Sequence, residues 1–215
     1  MNINFALRSE ILPQAILQHP VLFNNYYKLS VDILKCPAIE EYNKNKFIVP
    51  FPFDFYIRFI INEEKTEIKE ASHDLNLIFK KILIVDKRSK NQMTLEIKPI
   101  QLIFWSDNSC LLESNGHVFD NTINLGGTLD IKKWIRPIHC SYVLDKNKEQ
   151  IISYKKGDPW LYLKFHTEKK INLKYNFDSS IIQESVKMSE STKYVSGLKK
   201  YFQIFNKLRP RKMTK

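Results

Sequence analysis

Glycine is scarce, five in 215 residues, so loops that depend on its freedom at positive φ must be few. The glycine-dependent signatures of catalysis are missing too. There is no GxSxG, no GxxxxGK[ST] and no GxGxxG, which leaves hydrolase-elbow, phosphate-loop and dinucleotide-fold readings without support. The three cysteines, Cys36, Cys110 and Cys140, lie far apart and form no CxxC pair. Neither a zinc ribbon nor a disulfide framework follows from such spacing, and a reducing cytoplasm is the expected setting. No apolar run reaches the roughly 18 residues that a membrane-crossing helix needs. The N-terminal MNINFALRSEILPQAILQHP has no basic segment followed by a continuous apolar stretch, so a signal peptide is not expected. No cofactor is implied by any motif.

What is present is the composition of a folded protein, 43% hydrophobic and 13% aromatic. One domain with an appendage fits the length. Lysine and asparagine are abundant in the pattern that an AT-rich genome imposes, and they carry little functional weight. The net charge of +11 is unevenly placed. Residues 181–215 hold nine lysines and arginines against Glu184 and Glu190, a net +7 that leaves +4 for the rest. The tail is the basic element.

Hydrophobic periodicity points to strands. In FPFDFYIRFII, Phe53, Phe55, Ile57, Phe59 and Ile61 alternate with Asp54, Tyr56, Arg58 and Ile60. Pro50 and Pro52 imply an edge position or an irregular start. Upstream, Cys36-Pro37 followed by AIEEY is suited to open a brief helical turn, with proline at its first position. Residues 75–86 and 93–107 read as two further strands, CLLES as another, and Gly126-Gly127 as a sharp turn. Residues 171–177 read as a last strand. The stretch 134–165 has the form of a β-meander: WIRPIHCSYVL, a polar connection, IISYKK, the turn Gly157-Asp158-Pro159, and WLYLKF. Short strands at this spacing with no long helix among them predict an all-β fold, an antiparallel β-sandwich or jelly-roll-like body over residues 36–177. Residues 1–35 are expected as a cover segment. Residues 178–215 are expected as a basic helical appendage, because Tyr194, Leu198, Tyr201, Phe205 and Leu208 step by four, three, four and three.

Candidate chemistry is sparse. His117 and Asp120 have one intervening residue too many for the HxD half of an iron(II) facial triad, and would fall on opposite faces of a strand. His73-Asp74 sits in a β context foreign to helical phosphohydrolases. Cys36 reads as a buried small hydrophobe rather than a reactive thiol. His139 and Cys140 are adjacent, so they point apart. Asp54 is expected to face solvent or to pair with Arg136. In the tail, Tyr194, Leu198, Tyr201, Phe202 and Phe205 form an apolar stripe able to dock a protein partner, beside Lys199, Lys200 and Arg209. The same basic residues also suit nucleic-acid phosphates.

Two resemblances add to this. ISYKKGDPWLYLKF is similar to the closing β-hairpin of the dUTPase-like β-clip enzymes, whose other motifs have no match here; hairpin physics explains it without shared activity. CPA followed by FIVPFPFDFYIRF, then WIRPI, KKGDPWLYLKF and a basic amphipathic C-terminus, resembles uncharacterised proteins encoded by large tailed phages, particularly marine ones. That resemblance implies a viral setting and an all-β body, with no catalytic residues to carry over. The expected function is that of a non-enzymatic protein acting through protein–protein contacts or as a homo-oligomer, in the virion or host cytoplasm. The competing readings are a β-barrel iron(II) oxygenase and a protein that binds nucleic acid through its tail.

Overall fold

The computed structural model describes residues 1–9, 11–13, 17–61, 66–74, 77–86, 92–145, 148–177, 180–183 and 185. Strands take 52% of them and helix 15%. The fold is all-β as expected, built from several antiparallel sheets that form no barrel.

The first sheet orders β14 (Asn172–Tyr175), β1 (Asn2–Arg8), β7 (Gln92–Trp105), β11 (Pro137–Asp145) and β9 (Thr122–Leu125), with β6 (Leu83–Asp86) also on β7. The second orders β10 (Gly127–Asp130), β8 (Leu111–Gly116), β13 (Pro159–His166), β3 (Lys46–Pro50) and β2 (Val21–Leu22). The third is β12 (Glu149–Tyr154), β4 (Phe55–Ile61) and β5 (Thr66–Ala71). Among the described pairs only β1 with β14 is parallel.

The 14-residue β7 carries Pro99 in its interior, where a missing N–H interrupts the ladder. The chain resolves this by exchanging partners. Residues 94–97 pair with β6, and residues 101–105 pair with β1. β11 spans both halves and shifts register between Ile138 and Cys140, a bulge opposite the proline. Residues 2–8, in which no periodicity stands out, thereby become an interior strand with Ile3, Ala6 and Leu7 fully buried.

The expected meander is overturned. β11, β12 and β13 follow one another in sequence, yet each belongs to a different sheet. Alternation fixes which residues of a strand face the core, but not which strand lies beside it. The resemblance to a β-clip hairpin falls for the same reason, since β12 and β13 do not pair with each other. Residues 78–82 form a π-helical turn ahead of β6 where a strand was expected. The other elements agree with their patterns. β4 buries Phe55, Ile57, Phe59 and Ile61, and α3 (Pro37–Asn43) begins at its proline. Two shorter helices, α1 (Phe23–Tyr26) and α2 (Val31–Leu34), precede it.

One hydrophobic core joins all three sheets. Phe104 of the first meets Phe165 of the second edge-on, with ring centroids 5.4 Å apart, and Tyr154 of the third stacks on Phe51 at 4.0 Å. A smaller cluster covers the reverse face of the first sheet, where Ile181 and Ile182 of a helical segment pack on Ala6, Ile103 and Trp105. The stripe from Tyr194 to Leu208, with Lys199, Lys200 and Arg209, lies outside the described residues.

Candidate functional site

The same alternation that buries Leu161, Leu163 and Phe165 turns Tyr162, Lys164 and His166 outward from β13. On β8, burial of Leu112, Ser114 and Gly116 likewise turns Glu113 and Asn115 outward. Register aligns them. Lys164 stands between Lys46 of β3 and Glu113 of β8, and Tyr162 lies beside Asn115. This outer face of the second sheet is the floor of a cleft of about 820 Å³. Phe23, Tyr27 and Tyr42, from the helical segments that precede β3, supply its aromatic wall. Val118 and Asn124 close the other side.

Each wall is tethered to the sheet. The Tyr26 hydroxyl donates to the Gly157 carbonyl at 2.7 Å, and the hydroxyls of Tyr27 and Tyr162 lie 3.1 Å apart. Burial, reinforced by that bond, pushes the Tyr162 phenol above its ordinary pKa, so it stays protonated. The Lys164 ammonium donates to the carbonyls of Glu41 and Tyr42, each at 3.0 Å, at the C-terminal end of α3 where a cation is favoured. Burial lowers the Lys164 pKa, and Lys46 and Lys44 add to that. The Lys46 ammonium lies 4.3 Å from the ring centroid of Phe23 and 4.0 Å from that of Tyr42, a double cation–π contact. Lys44 pairs with Glu168 at 2.5 Å.

The floor also holds a polar network. Glu113 Oε2 meets His166 Nε2 at 2.8 Å, and Glu113 Oε1 accepts from Asn115 Nδ2 at 3.0 Å. The bond from His166, followed by that from Asn115, holds the Glu113 carboxyl below its usual range. Asn124 Nδ2 donates to the Gly116 carbonyl at 3.0 Å. Gly116 permits close approach of the strand beneath. A Cβ there would fall 2.4 Å from the Tyr142 hydroxyl and 2.8 Å from Cys140 Cβ.

His117 sits at the rim. Burial lowers its pKa, opposed by the negative charge of Asp158. The folded state therefore binds a proton at His117 less readily than the unfolded chain does. Stability from the neutral ring is present above about pH 6.5 and is lost as pH falls through the lowered folded value. In His117→Phe, the fall in thermal midpoint between pH 7.5 and 5.5, followed by circular dichroism, is expected to be smaller than in the parent. An equal fall in both proteins would remove His117 as the cause.

The residues singled out from sequence are mostly elsewhere. Asp54 is exposed, and its Oδ1 accepts the backbone N–H of Lys156 at 2.7 Å. It braces the Gly157 turn, where φ is +96°, rather than pairing with Arg136. Arg58 instead pairs with Glu149 at 2.8 Å. Cys36 is exposed, correcting its assignment to the core, because it caps a surface helix. Cys140 is buried, which pushes its thiol up to about 12 and leaves no thiolate to act as a nucleophile. His139 faces Glu96 at 3.4 Å. His73 packs on Phe53 and Phe55, and Asp74 caps the turn at Leu77. Asp120 is exposed beyond the end of β8. Among the described residues, no three of His, Cys, Asp and Glu gather closely enough to hold a metal ion.

The cleft residues went unrecognised in sequence because each reads as the polar half of an alternating strand. One signal was there to use. Glu113 and Asn115 on one strand, and Tyr162, Lys164 and His166 on another, are outward residues of the types that make sites. No protein-family model matches the chain, and no similar curated protein or solved structure was found.

Proposed function

We propose that this chain is a phage-encoded, non-enzymatic protein that works through contacts with other proteins, as a virion component or an assembly accessory, on a β-sandwich or jelly-roll-like body. The contact of Phe104 with Phe165 across two sheets that share one core supports the sandwich. The open edge of the first sheet supports the contact function. Among the described residues β9 pairs only with β11. Ile123 and Leu125 on it are 62% and 45% exposed, and Val118 just upstream is 71% exposed. An unpaired edge bearing apolar side chains is a template for an added strand, and proteins without such a partner blunt their edges with charge.

Among the described residues no set of metal ligands gathers to support the iron(II) reading. The +7 carried by residues 181–215 favours nucleic acid as the second reading. The test combines mass spectrometry of purified particles from the encoding virus with sedimentation of the intact chain and of Ile123→Lys. The expected result is a particle-associated chain, or an oligomer that the lysine dissociates. A chain absent from particles and monomeric at its highest soluble concentration would overturn the proposal. Salt-sensitive retention on DNA that is lost on removing residues 209–215 would favour nucleic acid instead.

A further inference from the structure

We propose that the cleft over the outer face of the second sheet binds a neutral oligosaccharide. Its volume of about 820 Å³ lies within the range of sites that enclose a ligand of a few rings. Four aromatic side chains line it, Phe23, Tyr27, Tyr42 and Tyr162. Sugar rings present C–H faces that pack on aromatic faces, and their rims of hydroxyls require fixed polar partners. The network of Glu113, Asn115 and His166 is such a partner. Its members are planar and orient one another before any ligand arrives. A carboxylate accepts from hydroxyls, while amide and imidazole groups add both donors and acceptors.

The placing of the charged groups argues against a polyanion. The Lys46 ammonium is held against two rings, that of Lys164 against two backbone carbonyls, and that of Lys44 against Glu168. The ionised Glu113, beside Lys164 on the floor, would repel phosphate. A peptide fits less well because its main chain needs backbone partners. The floor is the face of β8, β13 and β3, with β13 paired on both sides and β10 and β2 flanking the outer two along Leu111–Ser114 and Phe47–Ile48, so most of its main-chain groups are committed to neighbouring strands. Hydroxyls need only the side chains that face them.

This inference does not rest on partner contact at β9, and the two are separable by Ile123→Lys, which is expected to keep sugar binding. The full chain is titrated calorimetrically, and by saturation-transfer NMR, with maltotetraose, cellotetraose and tetra-N-acetylchitotetraose. Oligothymidylate and a proline-rich peptide serve as comparators. At least one tetrasaccharide is expected to bind. Tyr42→Ala, at a side chain 66% exposed, is expected to weaken it about fivefold to tenfold, the loss of one stacking contact. Glu113→Gln is expected to weaken it as well, and circular dichroism of both variants checks that the fold is kept. Failure of all three sugars to bind would overturn the proposal. So would binding of oligothymidylate or the peptide that depends on Tyr42 while the sugars do not bind.

Discussion

Trp160→Ala is expected to destabilise the protein by about 3–5 kcal/mol, the range for deleting a buried aromatic side chain. Trp160 is fully buried in β13, the central strand of the second sheet. The register of β13 against β3 shifts between Pro159 and Leu161, so Trp160 occupies a bulge that aims its ring into the core. Its carbonyl also accepts the His117 N–H at 3.3 Å and the Cys140 thiol at 3.5 Å, which ties the bulge to the neighbouring strands. A domain is typically stable by only about 5–15 kcal/mol, so the variant should be barely folded at ordinary temperature. Trp160→Phe should cost substantially less. It keeps an aromatic ring, and among the described residues the indole N–H has no hydrogen-bond partner, so no bond is lost there. Urea unfolding followed by circular dichroism checks the pair. Equal losses from both substitutions would show that the core does not pack on this ring.

Asn45→Ala is the second large effect, expected to cost about 2–4 kcal/mol from its hydrogen bonds. Asn45 is buried between α3 and β3 with φ at +55°, a conformation that asparagine tolerates better than most residues. Its Nδ2 donates to the carbonyls of Thr167 and Lys169 at 2.9 and 3.0 Å, and its Oδ1 accepts the N–H of Ile171 at 2.9 Å. One side chain thus satisfies three backbone groups of the loop between β13 and β14, 122 to 126 residues away in sequence. Alanine strands all three and adds about 1–2 kcal/mol of left-handed strain. Asn45→Gly separates the two contributions, because glycine removes the bonds and accepts the backbone angle. The urea midpoint is expected to fall in both, and further in alanine. If glycine restores the parent midpoint, the hydrogen bonds contribute nothing and strain is the whole effect.

Local rules made much of the architecture legible. The alternation in residues 53–61 places β4 and its buried face, because a strand half in water must put its apolar residues on one side. Pro37 marks the start of α3, since a proline loses nothing at a helix's first position. Gly157 marks the turn before β13, because the backbone there needs a positive φ. β1 was not legible. NINFALR has no clean period, and its burial on both faces follows from the main core against Ile3, Phe5 and Leu7 and from Ile181 and Ile182 against Ala6. The π-helical turn at residues 78–82 reads equally well as strand, since a short apolar run fits either.

The stretch 134–165 shows where the boundary falls. Its amino-acid pattern alone determined three strands, the turn at Gly157 and the grouping of Leu161, Leu163 and Phe165 on one face. These are local matters of alternation and backbone angle. Tertiary structure alone decided that the three strands enter three sheets, because pairing partners are chosen by contacts far apart in the chain. It also decided what the outward set does. By sequence, the large side chains on both faces of β13 imply a strand covered on each side and a stretch that is core rather than site. In the fold, Tyr162, Lys164 and His166 instead floor a cleft walled by Tyr27 and Tyr42. Those wall residues precede β13 by more than a hundred positions, a separation across which no period or spacing carries information.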